Sequence, residues 1–327
     1  MKFKYNAVIA AAIALGLAAP LAAHADTFSF SPTGNGANLV SVSTIDQAPG
    51  DALAVGGVTA IQAAANGAAN TNFQLYYQAN LNSFLAPDGG NAFSNGSTVP
   101  GGFSKLYFTF TAGFGENVKS FTVGSDGSQT ATFGLSNDQS SNYFRIYASS
   151  QLGNNTTGTG FNTGTLILSG RITSEPSSNF TVPGGQTTLG ALDQYSATPN
   201  NYPGVTSVTG TGSTEIRVTV DSFLQGYFPT LRVGSVISDF ITSGNSPFNK
   251  VDPMSCITAG AVCLTPNVGT VNGRTGPDFL LEADASQTLI SVAAPVARVP
   301  EPGTTALLGL GLAFLGLFGV ARKKNKA

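Results

Sequence analysis

Histidine is almost absent from this chain. The single one, His24, lies in an N-terminal segment that we expect to be removed. Without histidine, the remainder cannot form a Ser-His-Asp or Cys-His catalytic site or a histidine-ligated metal site. Tryptophan is absent too, so any stacking on sugar rings must use tyrosine or phenylalanine. We therefore expect a protein that is not an enzyme, with no assigned catalytic or metal-ligating residue and no cofactor other than calcium, which stays open.

Charged side chains are also scarce, at 10% of the chain. The formal net charge of −2 conceals an uneven distribution, because the basic residues concentrate at the two ends. Residues 26–297 hold 16 acidic and 8 basic residues. A nucleic-acid-binding protein needs a basic surface, so the composition excludes nucleic acid as a partner.

Cysteine occurs twice, at Cys256 and Cys263. An even count in an exported chain predicts a disulfide, here one that closes a short local loop. By chain-entropy reasoning such a loop contributes about 2 kcal/mol. The pair therefore serves to fix a hairpin tip or a loop.

The N-terminus has the pattern of a signal peptide. Two lysines precede an apolar run from Ala7 to Ala19, and small residues follow at Ala23 and Ala25. The run is shorter than the roughly 20 residues that span a membrane, and the two alanines fit a cleavage site. Residues 1–25 are therefore predicted to be a secretory signal peptide, so that the mature chain begins at Asp26.

The C-terminus has three parts in a fixed order. A Val-Pro-Glu-Pro-Gly segment (299–303) precedes an uncharged run (304–321) and a basic end (322–327). At about 1.5 Å per residue the run spans roughly 27 Å, close to the hydrocarbon core of a bilayer. We expect one transmembrane helix there, with the basic end in the cytoplasm and a Pro-rich linker over 293–298. The predicted stop-transfer residues are Arg322, Lys323, Lys324 and Lys326, and the segment before the span consists of Val299, Pro300, Glu301, Pro302 and Gly303.

This tail, residues 299–327, resembles the PEP-CTERM sorting signal of Gram-negative bacteria, and Pro300-Glu301-Pro302 matches the motif that names the family. The resemblance implies processing by an exosortase, transient anchoring in the inner membrane, and transfer to the cell surface or extracellular matrix. It also implies a link to exopolysaccharide, biofilm or floc. Residues 276–284 resemble a segment found upstream of the tail in other such substrates, some associated with flocculation. The same kind of tail is catalogued as an ice-binding protein C-terminal domain, a label that describes the tail alone.

Apolar and polar residues alternate with a period of two in many segments of residues 26–292. Two runs each place five apolar residues on one face, which indicates half-buried strands: Phe73, Leu75, Tyr77, Ala79 and Leu81, and Leu106, Phe108, Phe110, Ala112 and Phe114. Further strands are predicted over Asn38–Thr44, Phe121–Val123, Thr130–Leu135, Tyr143–Ala148, Thr165–Thr173, Thr214–Phe223, Leu231–Phe240 and Phe279–Ala285.

Ala52–Ala69 is rich in alanine, but two glycines interrupt it and β-branched residues favour extended structure. We expect a strand followed by a loop there. Short strands separated by polar turns predict an all-β ectodomain over residues 26–292, an antiparallel β-sandwich or jelly-roll-like fold. A β-solenoid is the alternative, although no fixed repeat is visible.

Acidic residues could form a glycosidase site or a calcium site, but the sequence has no motif for either. A glycosidase needs a pair of carboxylates, and no spacing marks one among Glu116, Glu175, Glu215 and Glu282. Calcium binding through loop oxygens stays open, without assigned ligands, because no Asp-x-Asp-x-Asp-Gly loop is present. Ordinary turn chemistry is the competing explanation for Asp88, Asp126, Asp138 and Asp284.

Two classes of function remain. The first is a non-enzymatic structural or adhesive protein of the extracellular matrix. The second is a module that binds polysaccharide, ice or a partner protein. Polysaccharide binding would use exposed aromatics such as Tyr76, Tyr107 or Tyr143. Ice binding would need regular rows of threonine, whereas the sequence shows isolated pairs: Thr109/Thr111 and Thr130/Thr132.

Overall fold

The main sheet of this protein closes on itself. The computed structural model describes residues 26–69, 71–98, 105–185, 189–192, 194–195, 202–245, 248–273 and 275–290. These residues form one helix, α1 (Gly57–Ala65), and the following strands: β1 (Phe28–Phe30), β2 (Val40–Val42), β3 (Thr44–Gln47), β4 (Gly50–Val55), β5 (Thr71–Leu85), β6 (Asn91–Ser94), β7 (Tyr107–Val123), β8 (Gln129–Leu135), β9 (Tyr143–Ser149), β10 (Thr165–Val182), β11 (Gly190–Ala191), β12 (Thr206–Ser207), β13 (Thr211–Phe223), β14 (Val236–Gly244), β15 (Ile257–Ala259), β16 (Val262–Leu264), β17 (Val271–Asn272) and β18 (Phe279–Ile290).

Hydrogen-bonded pairing runs in the order β5-β4-β18-β14-β13-β10-β8-β7 and returns from β7 to β5. Two further strands bridge this ring, since β9 pairs with both β7 and β10 and β3 pairs with both β5 and β18. Every pairing in the ring is antiparallel. The prediction of an all-β, antiparallel fold is confirmed.

The main core lies inside the ring. The apolar faces predicted for β5 and β7 both point into this core. Their core residues include Tyr77, Ala79, Phe108 and Phe110, and the residues between them point outwards. Phe30 stacks on Phe84 with ring centroids 4.0 Å apart. Aromatic pairs of this kind add about 1 kcal/mol beyond the area that they bury, so the ring is filled by specific packing.

A second layer covers part of the ring's outer surface. Residues 150–164 hydrogen-bond to the outer side of β5 and β7. Residues 248–273 pack beside them and enclose a smaller core with Leu53, Tyr76 and Leu280. Thr109 and Thr111 on the outer face of β7 are therefore fully buried. The expectation that these strands are half-buried is wrong in their central part, because loops distant in sequence cover the second face.

The expectation of a loop after the strand in Ala52–Ala69 is wrong, because residues 57–65 form α1. Gly56 ends β4 with a left-handed φ of 77°, which lets the chain turn directly into the helix. Val58 and Ala60 are buried against the main core. This tertiary packing outweighs the weak helix preference of the glycine and the β-branched residues.

Several predicted features lie outside the described residues. They are the signal peptide with Ala23 and Ala25, the linker, the sorting motif, the apolar run and the basic end. Among the residues that the structure does describe, none belongs to a helix with the length and apolar character needed to cross a membrane.

Candidate ligand-binding surface

An uncovered surface lies on the outer side of β10, β13, β14 and β18. In these strands Ile216, Val218, Ile237 and Ile241 point into the core. Because side chains alternate across a strand, the intervening positions point outwards. Most of those positions carry hydroxyl, amide or carboxylate groups, and the exceptions include Arg171, Arg217 and Phe240.

The strand register aligns these outward residues in rows that cross the strands, and we call the surface the rung face. Each row joins residues that lie directly opposite one another in neighbouring strands. The four rungs are Thr44-Thr288-Ser238-Arg217-Ser174, Asp46-Ser286-Phe240-Glu215-Ser177, Asp284-Thr242-Ser213-Asn179-Thr132-Ser120 and Glu282-Gly244-Thr211-Thr181-Thr130-Thr122.

Hydrogen bonds between side chains tie these rungs together. The Ser120 and Thr132 hydroxyls are 2.6 Å apart, and those of Thr130 and Thr181 are 3.0 Å apart. Ser238 donates to Glu215 at 3.2 Å. Neighbouring strands are about 4.8 Å apart, so the face presents polar groups at a regular spacing on a rigid support.

Phe240 is the exception on this polar face. Its side chain is 48% exposed, and no other described Phe or Tyr falls in the exposed class. It lies directly opposite Glu215 in β13 and Ser286 in β18. Fixed strands on both sides therefore present an aromatic ring to solvent among hydrogen-bonding groups.

The side of the face near β18 is negatively charged. Arg217 lies 3.8 Å from Glu215 and partly offsets its charge. Across the described residues the other ion pair joins Arg171 to Asp221, so neither pair includes Asp46, Glu282 or Asp284. Partial burial and then the charges of Asp46 and Glu282 raise the pKa of Asp284. A raised pKa is the response expected of a carboxyl group beside other carboxylates.

A buried carboxyl pair lies elsewhere, on the inner side of β7 and β10. Burial raises the pKa of Glu116, and the nearby charge of Glu175 raises it further. Burial also raises the pKa of Glu175. Ser178 donates a hydrogen bond to Glu116 at 3.2 Å, beside an apolar cavity of about 50 Å³ that includes Phe73 and Phe133 in its wall.

The structure thus brings together two of the four glutamates that the sequence could not pair. Their arrangement does not suit glycoside hydrolysis, which requires two carboxylates on opposite sides of a substrate. Glu116 is 2% exposed, and both side-chain oxygens of Glu175 are buried. Carboxyl groups this close favour retaining a proton between them.

A shallow polar groove of about 400 Å³ lies where β9 ends and β10 begins. Its walls are mainly small polar residues, including Ser149, Ser150, Gln151 and Thr163. Ligand sites of this volume usually combine apolar or aromatic walls with a few polar groups. Because its lining has no aromatic ring, the groove offers less to a sugar ring than the rung face does.

The three tyrosines considered for sugar binding do not form an exposed platform. Tyr76 is buried, and its hydroxyl lies 3.2 Å from that of Ser141. Tyr143 donates to the carbonyl oxygen of Thr258 at 3.1 Å, and Tyr107 is half-buried. The prediction that these rings are exposed is wrong, because loops pack against them.

Phe240 was missed for a different reason. Side-chain polarity alone would point Phe240 inwards and Asp239 outwards, although the period of two set by Ile237 and Ile241 places Asp239 on the core side. The strand register does the reverse, since Asp239 is fully buried. Its partner Gln287 in β18 is buried too, and this pairing across strands has no signal in the local sequence.

The aspartates considered for calcium have separate roles. Asp88, Asp126 and Asp138 each accept a hydrogen bond from the backbone N–H two residues further on, which is ordinary turn chemistry. Asp284 lies on the rung face. In the described part of the chain, no group of three or more potential ligands is arranged to hold a metal ion.

Cys256 and Cys263 form a disulfide, with Cα atoms 5.5 Å apart. The bridge closes the short hairpin β15–β16, in which Thr258 is directly opposite Cys263. This hairpin belongs to the layer over β5, where the backbone N–H of Thr258 donates to Gln78 Oε1 at 3.0 Å. The disulfide therefore braces part of the second layer.

Comparisons with known proteins identify the C-terminal end of the chain. The family model of the PEP-CTERM protein-sorting motif matches residues 298–324. No curated protein and no solved structure matches the chain. The match supports export and processing by an exosortase. This protein therefore carries a PEP-CTERM sorting motif at its C-terminal end.

Proposed function

We propose that this chain is a non-enzymatic structural or adhesive protein of the cell surface or extracellular matrix, within exopolysaccharide, biofilm or floc. The observation that carries the proposal is the sorting motif at residues 298–324, which follows an all-β ectodomain. An exosortase would process the tail after transient anchoring of residues 304–321 in the inner membrane.

The ectodomain supports this role through its construction. The closed ring of strands, the braced second layer and the hydroxyl-rich surface suit a durable protein outside the cell. The carboxyl groups with the most strongly raised pKa, Asp51 and Glu116 among them, are buried away from solvent. Such groups are poorly placed to act on an external substrate.

The test combines deletion of the gene with two complementing forms. One form is the intact chain, and the other replaces Pro300-Glu301-Pro302 by three alanines. We expect the deletion strain to form less cohesive matrix or floc, measured by resistance to shear. The intact chain should restore cohesion, whereas the alanine form should remain full-length in the inner membrane and restore little.

The controls separate sorting from ectodomain function. A chain with the native tail behind an unrelated secreted domain should reach the surface without restoring cohesion. Equal cohesion in the deletion and wild-type strains, with the protein correctly sorted in the latter, would contradict the structural or adhesive role.

A further inference from the structure

We propose that the rung face binds a polysaccharide with free amino groups, one sugar ring stacking on Phe240 and the ammonium groups facing Asp46 and Asp284. This deepens the proposed function by naming a ligand class and a surface. The proposal stands on the strand register, on the exposure of Phe240 and on the distribution of charge over the face.

Phe240 supplies the stacking contact. Its ring is exposed although it lies in the middle of a strand, and β13 and β18 hold it from both sides. Hydrogen-bonding side chains surround it, because Ser238 and Thr242 share its face of β14 while Glu215 and Ser286 lie directly opposite. An apolar ring bordered by such groups matches a pyranose, which has C–H faces and a rim of hydroxyls.

The negative residues specify the charge of the ligand. Asp284 is opposite Thr242 and so lies diagonally from Phe240, at a typical separation of about 7–8 Å. Asp46 continues the same rung as Phe240 through Ser286. A sugar stacked on Phe240 would therefore place its substituents near carboxylates, and complementary charge favours ammonium groups there.

Other occupants suit the face less well. Two copies of this chain would bring the carboxylates of both faces together, which like-charge repulsion opposes. An anionic polymer would meet the same repulsion. Residues within a rung repeat at the fixed strand spacing, which matches a polymer with a regular repeat better than an irregular peptide.

The experiment measures binding of the full exported chain, purified from cells, to four insoluble polymers. Chitosan carries free amino groups, chitin and cellulose are neutral, and cross-linked alginate is anionic. We expect the strongest retention on chitosan, weaker retention on the neutral polymers and none on alginate. Retention on chitosan should decrease as salt is added, because salt screens exposed charges.

Two variants test the site. Phe240→Ala should weaken chitosan binding by about tenfold, equivalent to about 1.4 kcal/mol, and Asp284→Asn should weaken it less and reduce its dependence on salt. Leu224→Ala, at an exposed apolar residue beyond the rungs, and Asp88→Asn, at an exposed turn, are the matched controls and should bind as the wild type does. All four side chains are at least partly exposed, so unchanged thermal unfolding midpoints should show intact folds.

Several results would overturn the inference. They are equal retention on all four polymers, a preference for alginate, equal loss of binding in controls and site variants, or capture on ice without retention on chitosan. Binding is measured on purified protein, so it does not depend on sorting. If matrix cohesion requires the chain while chitosan binding is absent, this inference fails and the proposed function stands.

Discussion

At the scale of single residues, Asp239 shows how burial controls a carboxyl group. It is fully buried on the inner side of β14, and burial raises its pKa to about 8, with Gln287 acting in the opposite direction. In the unfolded chain the pKa of aspartate is about 3.9. Between about pH 4 and pH 8 the folded protein therefore keeps a proton that the unfolded chain loses.

This difference predicts that the protein becomes less stable as the pH rises. The contribution of Asp239 is fully present below about pH 4 and is lost as the pH rises to about 8, by about 1.4 kcal/mol per pH unit. Asp239→Asn should show a smaller decrease in the free energy of unfolding between pH 5 and pH 8, measured with urea. Asp88→Asn, at an exposed turn, should keep the wild-type decrease, and an unchanged decrease in Asp239→Asn would show that Asp239 is ionised when folded.

Gln78 is a second residue whose surroundings define a role. It lies on the outer face of β5, fully buried by the second layer. Its Nε2 donates to the carbonyl oxygen of Cys256 at 2.7 Å, and its Oε1 accepts from the N–H of Thr258. The side-chain amide of Gln78 thus pairs with a backbone carbonyl and a backbone N–H of the hairpin segment, as the backbone of a neighbouring strand would.

Gln78→Ala should lower the free energy of unfolding by about 3 kcal/mol, because it leaves two buried backbone groups without partners. Asn82→Ala, at an exposed position on the same strand, should cost less than about 1 kcal/mol. Urea unfolding of both variants provides the comparison. Equal costs would mean that water replaces the amide of Gln78.

At the scale of elements, the loop at 154–159 fits closely against the disulfide hairpin. Gly158 has a φ of +70°, and a Cβ built there would lie 1.9 Å from the carbonyl oxygen of Cys256. Gly89 has a similar φ of +80°, but nothing lies within 4 Å of its Cβ position. The two glycines share a backbone requirement and differ in available space.

Alanine at each glycine separates these two effects. Gly89→Ala should cost about 1 kcal/mol, the usual penalty for an L-residue in the left-handed region. Gly158→Ala should cost at least about 3 kcal/mol, because the backbone of the hairpin must also move. Urea unfolding gives the costs, and limited proteolysis should cut near residues 256–264 in Gly158→Ala alone. Similar costs would indicate that the hairpin yields easily.

Local sequence patterns predicted most of the strands, but not their ends or their outer surroundings. Alternation located β5 and β9 well, because their inner faces meet a single apolar core. The strand predicted from alternation ended at Thr173, whereas β10 continues to Val182 through register shifts. Bulges interrupt the period of two, so a pattern based on that period ends where they begin.

The candidate surface could not be predicted in the same way. Its third rung joins residues from six strands, from Ser120 to Asp284. The sequence shows Thr130 and Thr132 as an isolated pair, because the residues beside them in space are distant in the chain. Such a row depends on register, and register is fixed by the core and the turns together.

At the scale of the whole molecule, we expect two different enzymes to set the two ends of the mature chain. A signal peptidase would cut after Ala25, and an exosortase would cut near Pro300-Glu301-Pro302. We expect the wild-type surface form to begin at Asp26 and to lack residues 304–327, as measured by mass spectrometry of the intact protein. A surface form that keeps Ala7–Ala19 or the C-terminal basic end would contradict this processing scheme.

The position of β18 has a mechanical consequence. This strand ends at Ile290, immediately before the segment that leads to the sorting motif, and it lies inside the sheet between β14 on one side and β3 and β4 on the other. A pull on the C-terminal end, such as drag on an attached cell, would therefore act along β18 rather than peel away an edge strand. Hydrogen bonds on both sides would share that load and break in shear together, which makes β18 a force-bearing anchor within the ectodomain.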